Sequence, residues 1–397
     1  MATPKLRFKE FNDNWLKVDI QSLVDEKIID KPMDGNHGEI HPTSADYVED
    51  GIPFVMATDV IDGKVYLDKS KKIKKSQADG LRKGFSLEGD ILLTHKATIG
   101  NVAKVPELKT PYIMLTPQVT YYRVLNKDKL NQDFIKSTFE APVFQNALLA
   151  LCTGATRLYI GISEQRKLPF SYPSKKEQTK IAAFLSAVDE KISQLTQKHQ
   201  LLSQYKQGMM QKLFNQQIRF KADDGSEFGE WKSVFLGDIS KPQQWKTISS
   251  SELTEIGYPV FGANGYIGFY PKYNHINETI AVTCRGATCG EVTLVKAKSY
   301  ITGNAMSIDE INENEHSTLY IYYALCFRGF KDVISGSAQP QIVGNAIRKV
   351  TFQIPCLEEQ TKIANFLSAI DQKIDVVSEQ LEQAKLWKKG LLQQMFV

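Results

Sequence analysis

The chain has 397 residues, 42% hydrophobic and 24% charged, a balance ordinary for a globular protein of roughly two to three domains. Its net charge of +4, from 49 Lys and Arg against 45 Asp and Glu, is too small to identify a nucleic-acid partner by itself. Neither an apolar run of about 18 residues nor a secretory leader is readable, and five scattered cysteines do not suit a disulfide framework, so reduced thiols, a cytoplasmic location and no membrane segment are expected.

Residues 1–172 read as a head of mixed helix and strand. HGEIH (37–41) spaces its imidazoles four apart, but Gly38 and Pro42 argue against the helix that metal binding needs. DKSKKIKKSQADGLRKG (68–84) carries seven bases against two acids; Lys71, Lys72, Lys74, Lys75 and Lys83 either form a solvated face or meet phosphates. DILLTHKATIGNVAKV (90–105) is rich in strand formers broken by a glycine turn, with His95 and Lys96 beside that turn as a second set of candidate surface contacts, together with Arg285. NQDFIKSTFEAPVFQNALLAL (131–151) has a helical pattern, and TGATRLYIG (153–161) is a loop holding Thr156, Arg157 and Tyr159.

Residues 173–217 form a long helix. Pro173 and SKKE (174–177) mark its start as a capping box. Counting alternately four and three residues, Ile181, Leu185, Val188, Ile192, Leu195 and Leu202 lie on one apolar seam.

Residues 218–354 read as a second head, restarting with IRFK at 218 as the chain starts with LRFK at 6. Lys241, Lys246, Lys296 and Lys298 are its candidate phosphate contacts, and Gln243, Gln244 and Trp245 are either a groove-entering cluster or core. FGANGYIG (261–268) is a turn without the context of a cofactor loop. TIAVTCRGATCGEVTLV (279–295) matches 90–105 in type and carries Arg285; its two thiols lack further zinc ligands. LYIYYALCFRGF (319–330) is helical, and SGSAQPQIVG (335–344) aligns with 153–161, setting Gln339 and Gln341 against Arg157 and Tyr159. These loops either form a contact surface or simply close the domain.

Residues 355–397 repeat the long helix, with Ile363, Leu367, Ile370, Ile374, Val377 and Leu381 on the seam. EQTKIAAFLSAVDEKI (177–192) returns as EQTKIANFLSAIDQKI (359–374), identical at 13 of 16 positions at an offset of 182. Chain order lets the second helix return along the first, giving an antiparallel pair about 55 Å long. Lys206 and Lys388 hold equivalent polar seam positions, either specifying register or receiving helices of a partner.

Enzyme signatures are missing: there is no Pro-Pro pair of an adenine methyltransferase motif and no GxxxxGK[ST] phosphate loop. The DEK triplets at Asp25 and Asp189 lack an upstream carboxylate, and the second is expected on a solvated helix face.

Two variable regions, each followed by a P-x-x-x-EQ-x-x-IA-x-FLSA-[VI]-D-x-KI helix and a K-x-G-[LM]-[LM]-Q-[KQ]-[LM]-F ending, resemble the specificity (S) subunit of type I restriction-modification enzymes. The resemblance covers essentially the whole chain, with Cys356 and Leu357 departing slightly before the second EQ. It implies an α+β (mixed) fold: two pseudo-symmetric α/β target-recognition domains separated by two long antiparallel helices forming a coiled coil. It further implies a non-catalytic reader of a bipartite, asymmetric site in double-stranded DNA, with no metal or cofactor of its own. Two methyltransferase (M) subunits using S-adenosylmethionine would dock on the helices, joined by restriction (R) subunits using ATP and Mg. The alternative is a coiled-coil adaptor presenting two protein-binding heads. A self-sufficient enzyme fused to a recognition domain is disfavoured by the missing motifs.

Overall fold

The structure is a computed structural model that describes residues 3–154, 158–263, 265–336 and 339–397. It resolves into two compact units, Met1–Thr196 with Gln380–Val397, and Gln197–Glu379. The division falls inside the long helices, so each unit holds one head and a part of each helix.

In the first unit, an antiparallel four-stranded sheet runs in the order Thr98–Lys104, Ile91–Lys96, Val119–Tyr122, Met33–Asp34. Its central strand is buried from Ile91 to His95 because both sheet faces are covered. Ile91 and Leu93 point into a core with the helices Gln132–Glu140 and Pro142–Ala150, where Tyr122 meets Phe139 edge-on, while Leu92 points into a second core with Val55 and Leu115. A five-stranded sheet supplies that second layer: Tyr47–Val48, Lys71–Ile73, Ile52–Val55, Ile113–Leu115, Phe85–Ser86, with one parallel pair at its centre. Pairing of Leu16–Asp19 with Pro169–Tyr172 closes the head.

The second unit repeats this plan. Its antiparallel sheet runs Lys241–Gln244, Ala305–Asp309, Thr279–Thr283, Val292–Val295, and a smaller sheet of Gly265–Tyr270, Tyr258–Gly262 and Tyr300–Ile301 again contains one parallel pair. The helix Thr318–Arg328 covers the larger sheet, and Lys232–Phe235 pairs with Thr351–Ile354 to close the head.

The long helices are Lys175–Phe214, of 40 residues, and Leu357–Met395, of 39. Within each unit their segments run antiparallel. In the first, Lys388 meets Asp189 while Phe396 packs on Trp15, whose indole donates to Glu177 at the helix start. In the second, Lys206 meets Asp371 while Phe214 packs on Trp231, whose indole donates to Glu359. Eight of the twelve seam residues named above are buried, and Ile192, Leu202, Ile374 and Leu381 are half-buried.

The repeated EQ has a physical cause. Arg7 forks onto Glu177 at 2.7 Å through both Nε and Nη2, and Arg219 onto Glu359 at 3.0 and 2.7 Å. The adjacent glutamines accept from the start of the head helix at 2.9 Å, Gln178 from Asn131 N–H and Gln360 from Ser317 N–H, and donate to Pro173 and Pro355 carbonyls at 2.9 Å. Glu177 is therefore held by arginine rather than acting only as a capping residue. Asp189, expected to face solvent, instead closes a ring with Lys136, Glu140 and Lys388 in which each Lys–carboxylate contact is 2.6 to 2.8 Å.

Candidate nucleic-acid interface

Two loops singled out separately in the sequence meet in each head. In the first, Tyr159 forms β-bridges to Lys96 and Thr153, and Ile160 N–H donates to His95 O at 3.1 Å. In the second, Gln341 bridges Arg285 and Ser335, and Ile342 N–H donates to Cys284 O at 3.0 Å. Lys96, Tyr159, Arg285 and Gln341 are all exposed. Equivalent places thus present a lysine beside a tyrosine in one head and an arginine beside a glutamine in the other. Thr156 and Arg157 lie outside the described residues; Gln339 is exposed in the loop that contains Gln341.

His95 differs from its expected role as a surface contact, because it is only 5% exposed. Its Nδ1 lies 2.9 Å from Ile160 O, which makes Nδ1 the donor and leaves a lone pair on Nε2, an atom without a hydrogen-bond partner among the described residues. Burial pushes the imidazole below its ordinary pKa, more than the Ile160 bond and Asp34 raise it. Asp34 was not found from sequence: it sits on a two-residue strand, and no motif or repeat marks it. It accepts from Lys83 and, at 2.8 Å, from His37 Nε2, while its Oδ2 stands 4.0 Å from His95 Nε2. These groups, with Lys96 and Tyr159, line a depression of about 340 Å³.

The equivalent place in the second head follows from register. His95 N–H donates to Gln118 O, and Cys284 N–H to Asn304 O; two residues further on, Thr120 pairs with Asp34 and Met306 with Gln244. Gln244 and Cys284 therefore replace Asp34 and His95. Gln244 Nε2 donates to Cys284 Sγ at 3.0 Å and to Gly303 O at 2.9 Å. Beside them, Asp309 accepts from Gln243 at 2.6 Å, Ser307 at 2.7 Å and His275 at 3.0 Å. Burial alone would raise the Asp309 carboxyl, but these hydrogen bonds outweigh it and hold the pKa below the usual value. Gln243 is thus turned inward. Trp245 is partly exposed, its indole donating to Ser307 Oγ at 2.9 Å.

The candidate phosphate contacts divide by their partners. Lys75 pairs with Asp79, Lys83 with Asp34, and Lys241 with Glu310 at 2.6 Å. Lys71, Lys74, Lys96, Lys246, Lys296, Lys298 and Arg285 are exposed and Lys72 half-buried, and none has an ion pair among the described residues. Lys71 and Lys72 lie on a strand that pairs with Ile52–Val55, whereas the corresponding neighbour of Tyr258–Gly262 in the second head carries the exposed aromatics Tyr266 and Phe269. No group of three or more His, Cys, Asp or Glu placed to hold a metal occurs among the described residues, and no described helix is long and apolar enough to cross a membrane.

Comparison with known proteins agrees with the doubled plan. Residues 34–204 and 229–386 match the family described as type I restriction modification DNA specificity domain. The chain is 25% identical over 366 residues to a protein assigned as the MjaX type I restriction enzyme specificity subunit of Methanocaldococcus jannaschii, covering 86% of this chain and 85% of that one. It is also 25% identical over 222 residues to the EcoprrI specificity subunit of Escherichia coli, covering 53% and 54%. In fold it is similar to the crystal structure of the S subunit of a type I system from M. genitalium, with TM-score 0.67, 19% identity and coverage of 100% and 99%. A chain from a structure describing complex assembly and conformational transition of a type I system is similar at TM-score 0.54, 16% identity and coverage of 96% and 97%.

Proposed function

The chain belongs to the type I restriction modification DNA specificity family, and from that premise we propose that it is the sequence-recognition subunit of a restriction-modification complex. Each head, residues 1–172 and 218–354, reads one half of a split site in double-stranded DNA. The observation that carries this reading is the pair of equivalent tips, Lys96 with Tyr159 and Arg285 with Gln341. Arg is suited to guanine O6 and N7, Gln to adenine N6 and N7, and Lys chiefly to phosphate, so tips of different chemistry make the two half-sites different. The site is therefore asymmetric.

The chain contributes the address and no chemistry of its own. Two methyltransferase subunits dock on the long helices and use S-adenosylmethionine, and restriction subunits join them and use ATP and Mg, while this chain binds none of these cofactors. The complex works in the cytoplasm. The names of the similar proteins support this reading, and no observation favours a coiled-coil adaptor.

A methylome of cells expressing this chain with its methyltransferase, compared with cells expressing the methyltransferase alone, tests the proposal. A new adenine mark in a two-part asymmetric motif is expected; absence of a chain-dependent mark, with both proteins soluble and associated, would overturn it.

A further inference from the structure

Two hydrogen-bond acceptors converge on the depression of the first head. His95 Nε2 is buried and has no hydrogen-bond partner among the described residues, and Asp34 Oδ2 stands 4.0 Å away. A buried acceptor with no donor is costly, so a histidine serving only to fill the core would normally be turned to a partner. His37 Nε2 and Lys83 Nζ point to Asp34, and His95 Nδ1–H to Ile160 O, so none of these three donors serves His95 Nε2. The place asks for a hydrogen-bond donor.

Among DNA bases, the groups that donate into the major groove are the exocyclic amines of adenine and cytosine; guanine and thymine present acceptors there. We propose that this depression is a socket for one such amino group, adenine N6 or cytosine N4, whose one hydrogen left free by the Watson–Crick pair is shared between His95 Nε2 and Asp34 Oδ2. Tyr159 and Lys96 stand at the rim, the tyrosine ring supplying an apolar wall and the lysine a phosphate contact. The proposal rests on the DNA-recognition reading and deepens it, because it names the base chemistry that one head selects.

Among the described residues the second head offers no matching socket. Gln244 and Cys284 occupy the equivalent positions, and both hydrogens of the Gln244 amide are taken, by Cys284 Sγ and Gly303 O. The amine-selecting position therefore belongs to one half-site.

The test uses the complex of this chain with its methyltransferase and duplexes carrying the motif found by methylome analysis. Each adenine of the motif is replaced in turn by purine, which lacks N6, and each cytosine by 2-pyrimidinone, which lacks N4. In the wild-type complex, one replacement in one half-site is expected to weaken binding about tenfold to a hundredfold beyond the others. The variants Asp34→Asn and His95→Gln should lose that distinction at the same position and keep all others. The analogue that acts distinguishes adenine from cytosine.

Asp34→Asn is isosteric and carries the test alone if His95→Gln does not fold, as judged by its melting transition. An unchanged penalty at every position in Asp34→Asn would overturn the socket, leaving a bound water as its occupant, while sequence-specific binding would stand. A wild-type complex without sequence preference on any duplex would overturn both the socket and the recognition reading.

Discussion

Lys206 Nζ lies 2.6 Å from Asp371 Oδ1 in the second unit, and Lys388 Nζ lies 2.6 Å from Asp189 Oδ1 in the first, the same contact written with the two helices exchanged. The polar residues in the seam therefore fix the alignment of the helices, with each lysine opposite the aspartate of the other copy. Asp189→Asn and Asp371→Asn should each destabilise the chain by about 1–2 kcal/mol, since the groups are partly solvated, and denaturant unfolding reads the loss. Burial alone would raise the Asp189 carboxyl, but Lys136 and Lys388 outweigh it and hold the pKa below the ordinary value. Its stabilisation is thus complete above the unfolded-state pKa and disappears as pH falls through the folded one. The gap between wild type and Asp189→Asn should close across that acid range.

Burial places His95 on the other side of the linkage. Its folded pKa lies below the ordinary 6.5, so the unfolded chain takes up the proton first. Stability should be complete above about pH 6.5 and fall as pH drops from there towards the folded value. Thermal melts of the chain between pH 5 and 8 should show this slope, and His95→Gln should flatten it. An identical slope in the variant would mean that other groups carry it.

The Arg–Glu–Trp clasps make a third expectation. Glu177 and Glu359 are essentially buried, and removing either charge leaves an arginine facing a neutral group. Glu177→Gln and Glu359→Gln should each cost about 2–4 kcal/mol. Amide exchange should quicken mainly around residues 6–15 and the start of the first helix for Glu177→Gln, and around residues 218–231 and the start of the second for Glu359→Gln.

Phosphate contacts and base contacts should separate in the salt dependence of binding. Lys74→Ala or Lys298→Ala should reduce the slope of log affinity against log salt by about one while leaving the methylated motif unchanged. Arg285→Ala should instead relax one position of one half-site in the methylome. Lys75 and Lys241, already paired with Asp79 and Glu310, should change the slope less than Lys74.

What was legible in the sequence followed from period and repetition. The heptad seam predicts both long helices within a few residues because 3.5-residue periodicity needs no tertiary information. The alignment of residues 153–161 with 335–344, and of 90–105 with 279–295, found Tyr159, Gln341, Lys96 and Arg285. That Tyr159 lies against Lys96, or Gln341 against Arg285, was not legible, since the bridges join segments far apart in the chain. Asp34 was invisible for a sharper reason: its counterpart is Gln244, so the repeat conceals the position instead of marking it. Glu177 reads as a capping residue because SKKE is local, while its partner Arg7 stands 170 positions earlier.

Leu6 N–H donates to Gln394 O at 3.0 Å, and Ile218 N–H donates to Lys212 O at 3.3 Å. The second is an ordinary contact across a short connection; the first is the same contact made between segments that no peptide bond joins. In its connectivity the chain behaves as a ring opened at one of two equivalent joints, so backbone order carries little of the fold's information there. A circular permutant sealed from the C-terminal helix to the LRFK segment, and opened instead between residues 215 and 217, should recover the same two units.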